Sequence, residues 1–344
     1  MSLGRITFFA SLALCLPLVA VAVAPGTSPG PGIRYATDAY PGFDSEDELL
    51  KPSRKEPRWL GWLNGPKMDT AAEQLEHASS LEAKGSWSGA RKAYDALVRE
   101  WPVSPEAAKA QRALADICLG KLHDTEAAFV EYRYLVDFYS SQCGYDEIVE
   151  LMYKTAELMR EEGKTVLFFR FDNTVDVRRA YEAVVLRAPG ARFAPCAMLT
   201  IASLREDEGN HETAVAVYEN LRNMYPNSPE AADALYLESK ARMTVLGRCE
   251  YNRDRVRDTI NFFALALGSG KLDEARADEV RRLRDEASAL IEEEAYNAAR
   301  FYDSRMRTRR SAINAYRRFL DEYPSSGRAP EVSRRILELQ EEIK

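Results

Sequence analysis

One spacing of small, aromatic and apolar positions recurs along the chain. A small residue is followed by tyrosine at the fourth position after it, by a bulky apolar residue at the seventh and by proline at the twelfth, as in the segment from Ala312 through Tyr316 to Pro324. Steps of four and seven residues put these side chains on one helical face, and the proline ends the helix. Further copies start at Ala90, Ala128, Val177 and Ala214, with Ser140 in the proline position of the Ala128 copy. The spacing predicts a repeat protein with a repeated core at Ala90, Tyr94, Tyr132, Tyr181, Tyr218 and Tyr316.

Each helix that carries this spacing, here called a template helix, follows an earlier amphipathic helix. Residues 71–81 precede the template helix at 87–101, for example. The next unit opens with Ser-Pro-Glu at 104–106 and again at 228–230. Serine is a favoured N-cap, and proline is well tolerated in the first helical turn. The tyrosine or tryptophan that precedes the template proline therefore marks a hinge between stacked helical hairpins.

The distances between copies indicate how many hairpins there are. Template helices start at 90, 128, 177, 214 and 312, so the steps are 38, 49, 37 and 98 residues, against 34 in tetratricopeptide repeats. The step of 49 contains an insertion at 161–176 with a β-like apolar run at 166–171. The step of 98 has room for a degenerate copy that starts at Val256, with Ile260 in the tyrosine position. We predict an all-α, tetratricopeptide-type superhelix (an α-solenoid) of about six hairpins over 69–344, capped by a helix at about 329–343.

The N-terminus has a different composition. Arg5 is the only charge before an apolar run at 6–24, so residues 1–24 are predicted to be a signal peptide or a membrane anchor. Cys15 lies in a lipobox-like stretch and is a candidate for acylation, with cleavage near Ala22 or an uncleaved anchor as the alternatives. Residues 25–68 are rich in proline, glycine and charge, which predicts a flexible linker. Trp59 and Trp62 within it are expected to dock on the first repeat or to contact a partner.

Composition and charge narrow the function. Hydrophobic residues make up 46% of the chain. The net charge is −7, and this acidic balance argues against a nucleic-acid partner. The histidines are His77, His123 and His211, which we expect to lie on the surface in different units. The five cysteines include no CxxC pair, and no phosphate-binding loop occurs. We therefore predict no catalytic residue, no cofactor and no metal site.

Two features are candidate partner contacts. Arg305, Arg307, Arg309 and Arg310 are predicted to share the turn of the last hairpin, where they would present positive charge to an acidic partner or to anionic lipid. A solvated turn is the alternative. Phe168, Phe169 and Phe171 in the insertion are expected either to pack on the solenoid or to meet a partner.

The junctions of the pattern W/Y-P-x-S-P-E-A and the closing segment EEEAYNAARFYDSRMRTRRSAINAYRRFLDEYPSSGRAPEV, residues 292–332, resemble the BamD family. These are tetratricopeptide lipoproteins of the outer-membrane β-barrel assembly machinery, and the likeness covers about residues 69–340. The resemblance implies a non-catalytic scaffold at the periplasmic face of the outer membrane, attached through its N-terminus. Its implied partners are the barrel-forming assembly protein and nascent outer-membrane proteins. Alternatives are another periplasmic tetratricopeptide adaptor, in envelope maintenance or cell division, and a wall-processing enzyme.

Overall fold

The computed structural model describes residues 40–41, 43–44, 65–162, 164–166, 169–171, 174–248, 250–305 and 309–343. These residues form thirteen helices and two short strands. They divide into two compact units, one of residues 65–151 and one of residues 152–343 together with the described part of 40–44. Six helical hairpins and a last single helix follow one another along the chain, which confirms the predicted α-solenoid class. The predicted segment 1–24 and residues 45–64 of the linker, with Trp59 and Trp62, lie outside the described residues.

The first unit contains two hairpins, α1 (Ala71–Ala83) with α2 (Trp87–Glu100) and α3 (Pro105–Gly120) with α4 (Thr125–Tyr139). Consecutive helices pack on each other, and α1 also packs on α3. Small residues line these contacts, since half of the buried residues of α3 are alanines. Their short side chains let neighbouring helices approach closely.

The third hairpin carries the insertion. Its helices are α5 (Tyr145–Glu162), which begins in the first unit and ends in the second, and α6 (Thr174–Arg187). Between them lie β1 (Lys164–Val166) and β2 (Phe169–Phe171), paired antiparallel with Val166 opposite Phe169. The described residues of the apolar run predicted as β-like, Val166 and Phe169–Phe171, thus belong to an antiparallel pair of strands.

The remaining helices belong to the second unit. The fourth hairpin is α7 (Ala194–Asp207) with α8 (His211–Met224), and the fifth is α9 (Glu230–Arg248) with α10 (Arg253–Gly268). In the fifth, Val256 and Phe263 of the degenerate copy are buried, and Ile260 packs at the edge of the same core.

The last hairpin starts with the longest helix. Helix α11 (Glu274–Arg305) precedes α12 (Arg309–Glu322), and α13 (Ala329–Glu341) follows. The first part of α11 contributes Val280 to the core of the fifth hairpin, whereas the last part contributes Tyr296 to a separate core with α12 and α13. The long helix therefore serves two hairpins in turn.

All five template tyrosines are buried, with 0% to 4% of each residue exposed. Each hydroxyl donates to a carboxylate on the first helix of its own hairpin. The pairs are Tyr94–Glu82 at 2.7 Å, Tyr132–Asp116 at 2.6 Å, Tyr181–Glu157, Tyr218–Glu206 at 2.8 Å and Tyr316–Asp303 at 3.2 Å. Burial and the neighbouring carboxylate raise the pKa of every one of these tyrosines, that of Tyr94 to about 12. A buried hydroxyl needs a hydrogen-bond partner. Each tyrosine therefore packs its ring in the core and links the two helices of its hairpin through its hydroxyl.

The junction after each template helix repeats one hydrogen-bond pattern. The amide fourteen residues after the template start donates to the carbonyl at position eleven, in Ser104–Trp101, Gln142–Tyr139, Ala191–Ala188, Ser228–Tyr225 and Ser326–Tyr323. Two of these position-eleven residues reach further, because the hydroxyls of Tyr139 and Tyr225 donate to the carbonyls of Pro102 and Pro189 at 2.8 and 2.6 Å. Each of these bonds joins one hairpin to the junction of the hairpin before it.

The predicted serine caps are wrong in one respect. Ser104 has the extended backbone of an N-cap, but its hydroxyl is buried and, within the described part of the chain, makes no hydrogen bond. The Ser228 hydroxyl is in the same state. The serine carbonyls instead accept from Ala107 and Ala231, so the tight junction itself, rather than a side-chain cap, restarts the helix.

Candidate interaction surfaces

The arginines predicted for the last turn lie mostly in helices. Arg305 is the final residue of α11, whereas Arg309 and Arg310 are the first two of α12; Arg307 and the side chain of Arg305 lie outside what the structure describes. Arg309 donates through Nε to Oε2 of Glu342 at 2.6 Å. A cation is unfavourable at a helix N-terminus, and this ion pair offsets that charge. Arg310 is exposed.

Two exposed aromatic residues precede these arginines. Phe301 and Tyr302 are 53% and 40% exposed, and their rings meet edge to face at 6.1 Å. Tyr296 and Ala299 occupy the core face of the same helix, which leaves this pair on the outside. Exposed aromatic side chains beside arginines have the composition of a protein-binding surface. Sequence reasoning missed this pair, and the adjacency of the two rings is no signal of exposure, because the adjacent Phe262 and Phe263 are both buried in one core.

A polar cleft of about 220 Å³ is lined by residues of α11, α12 and α13. Asp303 lines this cleft and accepts from Arg335 Nε and Nη2 at 2.8 and 3.0 Å. The Arg335 hydrogen bonds lower the pKa of Asp303, although burial opposes them. This pair fixes α13 against the end of α11 and so gives the surface a rigid base.

The insertion at 161–176 gives less evidence of a partner contact. Phe169 and Phe171 form the ends of β2, Phe168 lies outside the described residues, and the structure describes none of these side chains. Whether they pack or meet a partner stays a prediction.

A buried ionic cluster, which sequence reasoning missed, joins the third and fourth hairpins. Arg178 of α6 donates to Glu182 and to Glu208, at 2.6 Å in both cases. Arg205 of α7 lies 3.3 Å from Glu182 and 3.4 Å from Glu208. Arg178 and Glu182 are 3% and 0% exposed. Charges so deeply buried are retained only when they are paired.

The fifth member of this cluster comes from the predicted linker. The Asp44 carboxylate accepts from Arg205 Nη2 at 2.8 Å, from Arg179 Nε at 2.7 Å and from Arg178 Nη2 at 3.3 Å. Its backbone amide donates to Glu182 Oε2 at 3.2 Å. This part of residues 25–68 is therefore docked, contrary to the flexible linker predicted, because buried arginines supply a counter-charge that composition could not reveal.

Aromatic residues complete the docking. Tyr40 is 8% exposed and stacks on Phe43 with the ring centres 5.0 Å apart. The Phe43 amide donates to the Tyr40 carbonyl at 3.1 Å, which closes a turn with Pro41 in its second position. Burial, and then the nearby Tyr40, raise the pKa of Tyr225. The segment thus lies at the junction of the third and fourth hairpins.

The electrostatics of the cluster favour an anionic occupant. Burial alone would raise the pKa of Asp44, but hydrogen bonds from Arg179, Arg205 and Arg178 lower it to about 2. Burial raises the pKa of Glu182 to about 7 despite Arg178. The three arginines therefore hold the Asp44 carboxyl in its ionised form.

A second buried ionic cluster lies between the fourth and fifth hairpins and includes none of the described linker residues. Glu238 is 0% exposed and accepts from Arg222 and Arg242, at 2.7 and 2.8 Å. Both guanidiniums stack on Phe262, with their carbons 5.2 and 4.4 Å from the ring centre. Burial raises the pKa of Glu238 although both arginines oppose the shift. Of these two clusters, the one around Arg178 also contains a carboxylate from the predicted linker, that of Asp44.

Other candidate chemistry is sparse. His123 is exposed as expected, but His77 and His211 are half-buried against their helices, which corrects the surface placement. No disulfide joins the three cysteines that the structure describes, Cys118, Cys143 and Cys196. Among the described residues, no group of three or more histidine, cysteine or acidic side chains is placed to hold a metal, and no helix is long and apolar enough to cross a membrane.

Comparison with known proteins identifies two of the hairpins. The family model of the Tetratricopeptide repeat matches residues 197–228 and 295–326. Template starts Ala214 and Ala312 both fall seventeen residues after the start of a match, since 214 − 197 = 17 and 312 − 295 = 17. The family model and the template therefore share one register. The second match begins inside α11, where that helix passes from one core to the next.

Among solved structures, the chain is similar to a tetratricopeptide repeat protein from Parabacteroides merdae. The likeness covers 78% of this chain and 98% of that one, at 13% identity and a TM-score of 0.28. No curated protein matches the chain. The repeats indicate a protein-interaction scaffold, and folds of this type are typically non-catalytic.

Proposed function

We propose that this protein is a non-catalytic scaffold of the outer-membrane β-barrel assembly machinery, and that its last hairpin docks the barrel-forming assembly protein. One observation carries the proposal. Within the segment that resembles the BamD family, Phe301 and Tyr302 are exposed immediately before the helix end and arginines 309 and 310 begin the next helix. Aromatic anchors give affinity, and the arginines beside them add orientation and on-rate.

The proposal places the protein at the periplasmic face of the outer membrane. Its support is the apolar run at 6–24, the polar segment behind it and the family resemblance. Nascent outer-membrane proteins are the second proposed partner, because a stack of helical hairpins offers a long surface for extended chains. Another periplasmic tetratricopeptide adaptor, in envelope maintenance or cell division, would share every one of these features but the partner.

Direct binding to the purified barrel-forming assembly protein tests the proposal. The Phe301→Ser/Tyr302→Ser variant should bind at least tenfold more weakly at every salt concentration, since it removes the apolar anchors. Replacing Arg305, Arg307, Arg309 and Arg310 with serine should weaken binding most at low salt, because exposed charges act over a screened distance.

Thermal melting of the same variants separates docking from folding. Surface substitutions usually change stability by about 0.5 kcal/mol or less each, and the exposed Arg309–Glu342 pair should add about 1 kcal/mol at most. Arg281→Ser, which removes an exposed and ion-paired arginine from the first half of α11, is the matched control and should bind normally. Unchanged affinity of both docking variants for the assembly protein would contradict the proposal and favour the adaptor.

A further inference from the structure

We propose that the arginine cluster of the third and fourth hairpins is a binding site for an acidic, aromatic polypeptide segment, and that Tyr40–Asp44 of the chain's own linker is its resident, displaceable ligand. A partner segment of the same chemistry would bind there in place of the linker. This inference does not rest on the identity of the assembly partner.

The contacts are those of a peptide-recognition site. Asp44 is held through both carboxylate oxygens by arginines of two hairpins, and its backbone amide is held by Glu182. Side-chain and main-chain groups of one residue are thus recognised together. The arginines lie 134 to 161 residues further along the chain, so the docking is a long-range contact and not a local cap.

Charge explains why the site needs an occupant. Arg178 contacts three carboxylates, those of Asp44, Glu182 and Glu208. Because Arg178 is 3% exposed, water could not replace the Asp44 carboxylate beside it if the segment left. Uncompensated buried charge is costly, and an incoming carboxylate therefore binds strongly.

The way in which the segment is attached explains why it can leave. The described residues of this segment, 40, 41, 43 and 44, are held by one acidic side chain, one amide and an aromatic pair and belong to no helix. A tethered ligand of this kind competes with a partner through its effective concentration, which the intervening chain sets. A partner segment therefore has to match the linker's chemistry, with a carboxylate directly after one aromatic residue and four residues after another.

Two measurements on the full chain test this. First, hydrogen exchange of the backbone amide of residue 44 should be slow in the wild-type chain and fast in the Asp44→Asn variant. In Asp233→Asn, a matched control that removes an exposed, paired aspartate of the same unit, it should stay slow. Second, a labelled peptide of residues 38–46 should bind the Asp44→Asn chain at least tenfold more tightly than the wild-type chain, whose linker occupies the site.

Specificity is tested with a second peptide and a second pair of variants. A peptide with asparagine in place of Asp44 should bind the Asp44→Asn chain about tenfold more weakly than the wild-type peptide. Adding Arg179→Gln should lower the affinity for the wild-type peptide by about tenfold or more, as expected for one charge-assisted hydrogen bond. Arg276→Gln is its matched control, because Arg276 is equally exposed (37%) and also makes a 2.7 Å pair, with Asp233.

The outcomes decide between ligand and fixed structure. If unlabelled wild-type peptide speeds exchange of the Asp44 amide in the wild-type chain, the linker is displaceable as proposed; this arm needs no variant to fold. Fast exchange in the wild-type chain without peptide, equal affinity for the aspartate and asparagine peptides, or no binding to the Asp44→Asn chain would each overturn the inference.

Discussion

Each template tyrosine combines a buried ring with a hydroxyl that donates to a carboxylate of the same hairpin. The ring could be predicted, since steps of four and seven residues define a helical face. The carboxylate could not, because it lies 12, 16, 24, 12 and 13 residues before its tyrosine in the five pairs. Helix lengths and the insertion set these separations, so no fixed spacing exists to be recognised.

Two variants of Tyr218 measure separately what the buried ring and the hydroxyl hydrogen bond contribute to stability. Tyr218→Phe keeps the ring but removes the 2.8 Å bond to the partly exposed Glu206, and should lower the free energy of unfolding by about 1 kcal/mol. Tyr218→Ala also opens a cavity and should cost about 3–5 kcal/mol. Denaturant unfolding of the full chain measures both. Tyr302→Phe, at an exposed position, should change nothing; equal effects of Phe at 218 and 302 would show that the hydroxyl bond contributes no stability.

The ionic cluster shows where residue-level prediction fails. Arg178, Arg179 and Glu182 lie next to the buried positions of a template helix, where charged residues are ordinarily assigned to a solvated face. Arg178 and Glu182 are nevertheless buried, and Arg178 contacts Asp44, which is 134 residues away in the sequence. Local periodicity carries no information about such a contact.

At the scale of secondary-structure elements, the predicted helices and strands occur, but the predicted capping of helices by serine side chains does not. Template helices, the strand-like insertion and the degenerate fifth copy all lie where the spacing put them. The division of the long helix α11 between two cores was not predicted, because its apolar positions continue without a break. The serine caps failed because the junction closes through backbone bonds and leaves the hydroxyl inside.

Comparing two N-cap positions tests this explanation of helix restarts. Asn252→Ala should destabilise the protein by about 1 kcal/mol, because the Asn252 side chain accepts from the Arg255 amide at 3.0 Å. Ser104→Ala should be neutral or slightly stabilising, since it removes a buried hydroxyl that has no partner within the described chain. Thermal melts of the two variants make the comparison. A loss on Ser104→Ala as large as that on Asn252→Ala would mean that the serine caps its helix in solution.

For the whole chain, the sequence predicted the fold class better than the contacts between its parts. A repeat needs only local spacing to be recognised, and each hairpin packs mainly on its neighbours. Asp44 shows the limit, since a segment predicted to be a featureless linker carries a specific contact with the second unit. Composition predicts whether a segment can form a core of its own, but not whether it can bind to another one.

The last prediction concerns how the N-terminus is attached. Only 29 residues separate Cys15 from Asp44 (44 − 15 = 29), a length that spans at most about 100 Å when fully extended. If Cys15 is acylated, the arginine cluster is therefore held within that distance of the membrane surface while Asp44 is docked. Mass spectrometry of the mature protein from fractionated cells should find a diacylated Cys15 in the outer-membrane fraction. Cleavage near Ala22 would instead give a protein without a lipid anchor, and an intact Met1 an uncleaved one. Recovery from the cytosol alone would contradict export, and with it the proposed role in barrel assembly.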